Sequence, residues 1–324
     1  MAFLSEKNLK EKMQTETTQS QDNYILAGEK YLINGDLHKA KECFKWALYE
    51  NPGDITALNN FNVVSEQIRK SQTFPPILIA TIPKSGTVFI ASSLRNCLGI
   101  VAKMEPIEKM ITTGELQIIG GRFPDISINY SLLQKLSLSK NGAISISHLP
   151  PTNYNSLMVN SSLEKMVVNI RDPRQVILSN THHINALKKK EPFIVATYHF
   201  PKDYFDLPLI NQVDYQIENW LPVFINWVEG WLDVSEDPRL QLDILFTHFE
   251  DMKNDPQIFF RSILEFYGIS KCDFKWPLKP KAGQLHFRKG CIDEWRLVFT
   301  PEQERKASDM ISDRLYEKFG WVRG

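Results

Sequence analysis

Five consecutive residues, Pro83-Lys84-Ser85-Gly86-Thr87, have the composition of a phosphate-binding loop. They follow a short apolar run rich in β-branched residues, Ile77 to Ile82, and precede an amphipathic stretch from Val88 to Leu98, which predicts a strand, a loop and a helix. Small residues let backbone N–H groups at the start of a helix approach phosphate oxygens, and Lys84 adds a point charge. No glycine precedes the lysine at the spacing of the Walker motif. The loop therefore predicts an anion site of a different kind.

Two further clusters of basic residues are candidates for additional phosphate contacts. Arg171-Asp172-Pro173-Arg174 comes directly after the apolar run Met166 to Ile170, and Ser179 follows on a predicted helix. A cationic strand end and a hydroxyl on the next helix can converge on one phosphate. Phe287-Arg288-Lys289-Gly290, near the C-terminus, adds two cations and a glycine whose bare backbone can approach an anion. The three clusters together predict a ligand with more than one phosphate-type group.

His148 is the candidate proton acceptor. It stands at the end of the strand-like run Ala143 to Ser147, and two prolines after Leu149 force the chain out of the sheet. Parallel α/β proteins place their chemistry at such strand ends. With an ordinary pKa of about 6.5, a neutral imidazole can take a proton near physiological pH. An isolated histidine here is more often a core or capping residue, so the case for a base depends on its place between two basic clusters.

These residues need a framework that brings strand ends together. Four apolar, β-branched-rich runs alternate with helix-like segments, which is the order of a parallel α/β sheet. We therefore predict an α/β fold with a P-loop-like parallel sheet flanked by helices. Trp220, Trp227 and Trp231 recur at near-helical spacing and predict a buried stripe on one helix. The four runs are Ile77 to Ile82, Ala143 to Ser147, Met166 to Ile170 and Leu240 to Phe246.

Composition argues against several classes of protein. The 324 residues are 43% hydrophobic, enough for an ordinary packed core. Lys and Arg total 38, as do Asp and Glu, so the net charge is zero and nucleic acid is not an expected partner. No stretch has the roughly 20 apolar residues of a membrane span, and the N-terminus has no apolar signal region, so we expect a cytoplasmic protein without membrane association. The four cysteines lack metal-ligand spacing, and no metal site is expected.

The N-terminal region differs from the rest of the chain. Residues 1–22 have the polar composition of a flexible tail, and residues 23–70 match the pattern of one tetratricopeptide repeat, a helical hairpin. A single repeat must pack on a neighbour, which is either the following domain or a protein partner. Ser71 to Pro76 is the expected junction, and residues 75–324 are the expected main domain. The matching positions are Tyr24, Gly28, Tyr31, Gly35, Ala40, Phe44, Ala47 and Pro52.

From about Pro75 to Gly324 the chain resembles the cytosolic-type sulfotransferases. The resemblance rests on the three basic clusters and on further segments in matching order and approximate spacing. The family's fold, a parallel sheet flanked by helices, agrees with the fold predicted above. The further segments are Ser147-His148-Leu149-Pro150, Phe249-Glu250-Asp251-Met252-Lys253 with Asp255-Pro256, and Asp293, Trp295, Phe299 and Thr300.

The resemblance implies that the chain uses 3′-phosphoadenosine 5′-phosphosulfate (PAPS) as co-substrate and releases 3′-phosphoadenosine 5′-phosphate (PAP). Residues that would hold the 5′-phosphosulfate are Lys84, Ser85, Gly86 and Thr87. Residues that would hold the 3′-phosphate are Arg171, Ser179, Arg288, Lys289 and Gly290. The nucleotide-binding set is completed by Val88, Phe89 and Phe249. Phe89 takes the place of a tryptophan that stacks on adenine, and Phe249 that of a tyrosine near the base.

The same resemblance makes His148 the catalytic base and lets Lys84 stabilise charge on the bridging oxygen as the S–O bond breaks. Many relatives carry a second lysine where this chain has Ile146, so another cation must act there or catalysis is weaker. A small natural-product alcohol, phenol or amine is the expected acceptor. Its pocket is expected in Met104 to Lys140 and Ala186 to Pro222, whose prolines and weak periodicity predict loops.

Two other functions remain open on the sequence alone. An ATP-dependent P-loop kinase would also need an anion loop, although it would have no use for basic clusters dedicated to a 3′-phosphate. A scaffold that binds PAP and recruits partners through residues 23–70 would explain the repeat-like segment and the lysine that is missing at Ile146.

Overall fold

A sheet of four parallel strands forms the centre of the protein. The computed structural model describes residues 21–98, 119–139, 143–190, 192, 200–269 and 291–323. The sheet consists of β1 (Ile77–Thr81), β4 (Ile144–Ser147), β5 (Lys165–Ile170) and β6 (Asp243–His248), in the spatial order β4-β1-β5-β6. A separate antiparallel pair consists of β2 (Ile119–Arg122) and β3 (Asp125–Ile128). Since all four strands of the main sheet run in the same direction, their carboxyl ends share one edge.

Helices follow every strand of the main sheet. In chain order they are α1 (21–33), α2 (Leu37–Glu50), α3 (Ile55–Ser71), α4 (Thr87–Leu98), α5 (Tyr130–Ser137), α6 (Asn153–Ser162), α7 (Pro173–Lys190), α8 (Leu209–Asn219), α9 (Leu221–Glu236), α10 (Phe249–Asn254), α11 (Pro256–Phe266), α12 (Pro301–Asp309) and α13 (Asp313–Phe319). Thus α4, α6, α7 and α10 come directly after β1, β4, β5 and β6. The predicted α/β fold with a parallel sheet flanked by helices is confirmed.

The main core consists of the sheet and the apolar faces of these helices. All five residues of β1 are buried, as expected of a strand covered on both faces. Trp231 is fully buried and Trp227 is 3% exposed, while Trp220 packs against the core at its margin. Trp227 and Trp231 therefore lie on the inner face of α9, whereas Trp220 lies between α8 and α9 and not on the single helix that the spacing predicted.

The N-terminal helices form a second, smaller core. Gly28 of α1 lies against the ring of Phe44 of α2, and a Cβ at this position would stand 2.5 Å from Phe44 Cε1. The turn after α1 contains Gly35 with φ of 76°, a conformation that favours glycine. The buried amide of Gln21 donates from Nε2 to Asp54 Oδ2 at 2.6 Å. Helical structure therefore begins within residues 21–22, which the sequence placed in the tail.

Lys45 fixes the helical hairpin to the main domain. This lysine is fully buried, and its Nζ donates to the backbone oxygens of Asn160 (2.6 Å), Leu163 and Gln241 (2.9 Å). Leu163 is the C-cap of α6, where helix carbonyls lack intrahelical partners. Leu163 and Gln241 precede β5 and β6, so the hairpin packs at the amino ends of the strands, on the edge opposite their carboxyl ends.

Polar contacts surround this buried lysine. Lys41 Nζ lies 2.6 Å from Glu164 Oε1, and the Tyr130 hydroxyl donates to Glu42 Oε1 at 2.5 Å. The guanidinium of Arg239 lies over the ring of Tyr49, 5.1 Å from its centroid. The contacts come from α6, α5 and the approach to β6, so the hairpin contacts several elements of the domain at once.

The segments expected to form acceptor-pocket loops contain regular structure where they are described. Residues 119–139 form the β2-β3 pair and α5, and residues 186–222 include the end of α7, α8 and the start of α9. The prediction of loops was wrong for these parts because a buried face was overlooked. Gln212, Val213, Gln216 and Ile217 recur at helical spacing and are all buried on α8. Residues 104–118, 140, 191 and 193–199 lie outside the described residues.

Candidate active site

The loop between β1 and α4 has the backbone of an anion site. Lys84 and Gly86 both have positive φ, of 68° and 88°. The buried Ser85 donates its hydroxyl to the backbone oxygen of Ile82 at 2.6 Å and so closes the turn. Since α4 begins at Thr87, the first N–H groups of this helix have no intrahelical acceptor. The helix N-terminus and the charge of Lys84 both favour negative charge at this loop.

Gly86 is required here for two reasons. Its positive φ disfavours any residue with a side chain. A Cβ at this position would also lie 2.3 Å from Met252 Cε and 3.7 Å from Phe249 Cδ2. The loop is therefore packed against α10, which follows β6 on the far side of the sheet from β4.

Two buried polar side chains connect this loop to the neighbouring strands. Asn169 of β5 donates from Nδ2 to the backbone oxygen of Ser85 at 3.0 Å, and its Oδ1 accepts a hydrogen bond from the hydroxyl of Thr247 of β6 at 2.9 Å. Each amide group is thereby satisfied inside the protein. Neither residue was predicted from the sequence, although a polar pair inside two apolar strands could have indicated them.

Arg171 connects the first and second basic clusters. Its Nη1 donates to the backbone oxygen of Lys84 at 2.7 Å, its Nε to Gln175 Oε1 at 3.2 Å, and its Nη2 to the backbone oxygen of Cys291 at 3.3 Å. The guanidinium also covers the ring of Phe249, with Cζ 4.0 Å from the ring centroid. A cation–π contact of this kind fixes the orientation of the buried guanidinium. The side chain thus lies beside the anion loop.

Arg174, by contrast, has a structural role. It is fully buried and its Nη2 lies 2.7 Å from Asp172 Oδ2. The same Nη2 donates to the backbone oxygen of Val322 at 2.9 Å, and the guanidinium covers the ring of Trp295 at 4.3 Å. The sequence grouped Arg174 with the phosphate-binding cations of its cluster. Instead it holds the C-terminal segment against the start of α7.

His148 lies immediately after β4, next to the end of β1. Its Nδ1 is 2.8 Å from the backbone oxygen of Thr81 and 3.2 Å from the hydroxyl of the same residue. Because a carbonyl oxygen only accepts, Nδ1 carries the proton and the lone pair of the neutral ring is on Nε2. The Thr81 hydroxyl is also 2.9 Å from that of Thr87, the first residue of α4. The histidine and the anion loop are therefore connected through one threonine.

The surroundings of His148 keep its ring neutral. Burial lowers the pKa of the imidazole below its ordinary value, and the nearby charge of Lys84 lowers the pKa further. The hydrogen bond to the Thr81 backbone acts in the opposite direction without reversing the shift. A neutral imidazole with a lone pair on Nε2 is the form that a general base requires.

Aromatic side chains form a wall beside His148. The ring of Phe123 meets the imidazole edge-on with 6.4 Å between centroids, and it stacks on Phe224 at 5.6 Å and 17°. Trp220 continues the series, 6.2 Å from Phe224. The sequence analysis missed Phe123 and Phe224 because they belong to distant segments, and only the fold brings β2-β3 and α9 together.

The other predicted nucleotide-binding residues have different degrees of exposure. Val88 is 54% exposed at the start of α4, while Phe89 meets Phe260 edge-on at 5.9 Å. Ser179 is half-buried on α7. Ile146 pairs with Ile79 in the sheet and packs against the core, so it carries no charge toward the site. The third cluster, Arg288, Lys289 and Gly290, lies outside the described residues.

Glu250 is an unexpected feature next to the site. Both of its carboxylate oxygens are buried, and within the described part of the chain no other residue donates a hydrogen bond to them; the backbone N–H of Glu250 itself is close enough to lower the pKa of the carboxyl. Burial raises the pKa of this carboxyl to about 7, with the charges of Asp172 and Asp251 adding to the rise and that of Arg171 opposing it. A carboxyl with this pKa is about half ionised at pH 7.

Fold and site together define a class of protein: a parallel α/β protein with an anion loop after its first sheet strand and a neutral histidine on the adjacent strand end. The family model of the sulfotransferase domain matches residues 74–320. The chain belongs to the sulfotransferase domain family. The match includes both strand ends and begins after the N-terminal hairpin, which ends at Ser71.

Curated relatives come from plants. A flavonol sulfotransferase-like protein of Flaveria bidentis is 26% identical, over 44% of this chain and 57% of the relative. A flavonol 4′-sulfotransferase of Flaveria chlorifolia is 23% identical, over 44% of this chain and 55% of the relative. The chain thus spans about half the length of the curated relatives that it matches. A mouse sulfotransferase solved in complex with PAP is 16% identical, with a TM-score of 0.43 over 78% of this chain and 88% of that chain.

The described ranges contain neither a candidate membrane span nor a candidate metal site. No helix among them is both long and apolar enough to cross a lipid bilayer. Within the same ranges, no three side chains of histidine, cysteine, aspartate or glutamate are grouped so that they could hold a metal ion.

Proposed function

We propose that this protein transfers the sulfuryl group of PAPS to the hydroxyl group, or an amine, of a small aromatic acceptor and releases PAP. The observation that carries the proposal is the contact of His148 Nδ1 with the backbone oxygen of Thr81, 2.8 Å long. This contact supports a role as base, because the histidine lies beside the residue that leads into the anion loop and its Nε2 keeps the lone pair of the neutral ring. Membership of the sulfotransferase domain family supports the same reaction.

The binding of PAPS is supported by the chemistry of the loop and of Arg171. The N-terminus of α4 and Lys84 suit the 5′-phosphosulfate, because both favour negative charge. Arg171, which follows β5, and Ser179 of α7 are proposed to bind the 3′-phosphate, together with Arg288, Lys289 and Gly290. Phe89 and Phe249 are proposed to contact the adenine. PAPS supplies the sulfuryl group, and the protein supplies orientation and charge.

His148 is the proposed catalytic base. Its Nε2 accepts the proton of the acceptor hydroxyl as the acceptor oxygen forms its bond to sulfur. The bond between sulfur and the bridging oxygen breaks, and the electron pair stays with the phosphate of PAP. Lys84 stabilises the negative charge on that oxygen, as cationic groups do in phosphoryl transfer. The proton on His148 is then lost to solvent, which restores the neutral ring.

The proposed acceptor is a planar phenol. The stacked rings of Phe123 and Phe224 provide a flat apolar surface next to His148, with Trp220 beyond them. Flat aromatic molecules gain from such surfaces through offset or edge-to-face contacts. The names of the two Flaveria relatives specify flavonols, which are planar phenols. A plant-type phenolic natural product therefore fits the wall better than an aliphatic alcohol.

We further propose that residues 23–70 form a tetratricopeptide-like cap that is an integral part of the domain in residues 75–324. The buried ammonium of Lys45 and its three carbonyl partners support packing on the domain over recruitment of a partner. A cytoplasmic location is proposed as well, since one plant relative is named as a cytosolic sulfotransferase.

The test is to incubate the protein with PAPS and a panel of phenols, aliphatic alcohols and amines, and to detect sulfated products by mass spectrometry. We expect products from phenols, their loss in His148→Gln, and their retention in the control His38→Gln in the hairpin. Thermal shift should show stabilisation by PAP well above that by ADP with Mg²⁺. Stabilisation by ADP with Mg²⁺ but not by PAP would favour a kinase. PAP binding without turnover on any acceptor would favour a scaffold.

A further inference from the structure

The segment His148–Pro151, called the base loop below, is held by side chains from two helices. The backbone oxygen of Leu149 accepts two hydrogen bonds, from Trp227 Nε1 at 2.8 Å and from Trp231 Nε1 at 3.0 Å. Both indoles belong to α9 and are buried in the main core. One carbonyl oxygen has two lone pairs, so both are used by these donors.

Asn155 of α6 holds the next residue of the base loop. Its Nδ2 donates to the backbone oxygen of Pro150 at 3.0 Å and to that of Ile126 at 2.9 Å. Its Oδ1 accepts from the backbone N–H of Ile128 at 3.0 Å. Ile126 and Ile128 lie on β3, shortly after Phe123. This fully buried amide therefore connects the base loop to the strand pair that carries the aromatic wall.

A glycine on α9 lets the base loop approach the helix. A Cβ on Gly230 would stand 2.4 Å from Pro151 Cγ and 3.2 Å from its Cβ. The base loop thus contacts α9 at Trp227, Gly230 and Trp231. Both tryptophans donate hydrogen bonds to the base loop, and Gly230 leaves room for Pro151.

We infer that Trp227, Trp231 and Asn155 are positioning residues that hold His148 in register with the anion loop and the aromatic wall. The inference deepens the proposed function and rests on it, because positioning matters only if His148 acts as base. An ordinary core role would require each N–H to have some acceptor. It would not require three donors to converge on the two carbonyls that directly follow one histidine.

The first experiment separates positioning from packing. Trp227→Phe, Trp231→Phe and the double variant remove the N–H donors and keep an aromatic ring. Trp321→Phe is the matched control, because Trp321 Nε1 is also buried but has no hydrogen-bond partner among the described residues. Misplacing a reacting group by about 1 Å can cost about 100-fold in rate, so we expect kcat of the double variant to fall about 10- to 100-fold. The KM for PAPS should stay unchanged, and the control should keep its kcat.

The second experiment measures the environment of His148 and does not depend on catalytic turnover. NMR titration of the histidine Cε1–H signals, with His148 assigned through His148→Gln, gives its pKa directly. The wild-type pKa is lowered by burial, and a loosened base loop should move it up toward its ordinary value. Trp321→Phe should leave it in place. If the wild type transfers no sulfuryl group but the titration responds as expected, the proposed function fails and the positioning stands.

The inference is overturned if the wild type is active and the double variant has the same kcat and the same pKa of His148 as the wild type. Should the double variant fail to fold, Gly230→Ala provides another route, because its methyl group displaces Pro151 while no hydrogen-bond donor is lost. It should lower kcat at least 10-fold without changing PAP affinity. Unchanged kcat in Gly230→Ala and in both single tryptophan variants would equally overturn the inference.

Discussion

Arg171 Nη1 donates a hydrogen bond of 2.7 Å to the backbone oxygen of Lys84. Lys84 itself has a positive φ of 68°, so the carbonyl is turned toward the end of β5 by an unusual backbone conformation. One guanidinium therefore orients the anion loop that precedes α4 and remains beside it as a cation. The two basic clusters are a single structural unit, which a motif-by-motif description would separate.

Replacing Arg171 by lysine should weaken PAP binding strongly. An ammonium cannot reproduce the fork of donors that contacts Lys84, Gln175 and Cys291, nor the flat contact with Phe249. We expect PAP affinity to fall about 10- to 100-fold and the free energy of unfolding to fall by about 1 to 3 kcal/mol. Calorimetric titration with PAP and urea unfolding measure the two effects.

The control for Arg171→Lys is Arg314→Lys, since Arg314 pairs with Asp233 and Glu236 on the surface. Exposed ion pairs contribute little, so this variant should resemble the wild type in both measurements. Equal PAP affinity in Arg171→Lys and the wild type would show that Arg171 serves the fold only.

Gly86→Ala should damage the anion loop by two separable effects. Both the positive φ and the 2.3 Å approach to Met252 Cε oppose a methyl group. Gly35→Ala measures the conformational cost alone, because φ is 76° and no atom lies within 4 Å of its Cβ position. We expect a loss of about 1 kcal/mol of unfolding free energy at Gly35 and about 1 to 3 kcal/mol at Gly86, where the atom displaced is the end of the flexible Met252 side chain. Gly86→Ala should also abolish PAP stabilisation in thermal shift.

The comparison of Gly86→Ala with Gly35→Ala decides the prediction. Equal losses would mean that Met252 moves away at no cost and that the loop is loosely packed. A Gly53→Ala variant, with ordinary φ and Asn51 Oδ1 at 3.6 Å as nearest atom, should be close to neutral.

Local signals in the sequence were sufficient for three strands of the main sheet and for the turn before α4, but not for β2 and β3, and the run predicted for β6 begins three residues too early. β-branched apolar runs predicted β1, β4 and β5 to within a residue, and the turn between β1 and α4 follows from small residues around Lys84. The position of His148 at a strand end was also predictable, because two prolines closely follow it. These features depend on neighbours along the chain.

Contacts between distant segments could not be predicted from the sequence. Arg174 and Arg171 look alike in the motif, yet Arg174 meets Trp295 and Val322, which only the folded C-terminus brings near. Nothing in the sequence distinguishes Asn155 from other helix residues, because its role depends on the packing of β3 against α6. The role of a polar residue in the core depends on which backbone groups the fold leaves without partners, and a single sequence does not contain that information.

Glu250 should make stability depend on pH near neutrality. Its carboxyl has a pKa of about 7 in the folded protein against an ordinary 4.5, because burial disfavours the charged form. The folded state thus binds the proton more tightly, so the stabilisation is complete below pH 4.5 and is lost as pH rises through about 7. Glu250→Gln, which stays neutral, should raise the free energy of unfolding at pH 8.5 by about 1 to 3 kcal/mol.

Urea unfolding of the wild type and of Glu250→Gln across pH 5 to about 8.5 tests this linkage. The difference between the two curves should grow with pH and level off above the folded-state pKa. Glu317→Gln, an exposed carboxyl on α13, should give a difference that is small and independent of pH. A constant offset for Glu250→Gln would mean that the carboxylate is ionised throughout and is paired.

Lys45→Met tests whether the N-terminal hairpin is part of the domain. Burial lowers the pKa of Lys45 well below its ordinary value, yet three carbonyl oxygens surround Nζ and only the charged ammonium has three N–H donors. Methionine fills a similar volume but leaves the oxygens of Asn160, Leu163 and Gln241 without a donor. We expect a loss of about 2 to 4 kcal/mol of unfolding free energy.

Limited proteolysis tests whether the loss of unfolding free energy weakens the attachment of the hairpin to the domain. Cleavage within Ser71 to Pro76 should be faster in Lys45→Met, because the hairpin detaches more often when its buried anchor is gone. The control is Lys30→Met, an exposed lysine of α1, which should match the wild type in both measurements. If Lys45→Met were as stable as Lys30→Met and equally resistant at the junction, the hairpin would be an independent module, and recruitment of a partner would become the better explanation for residues 23–70.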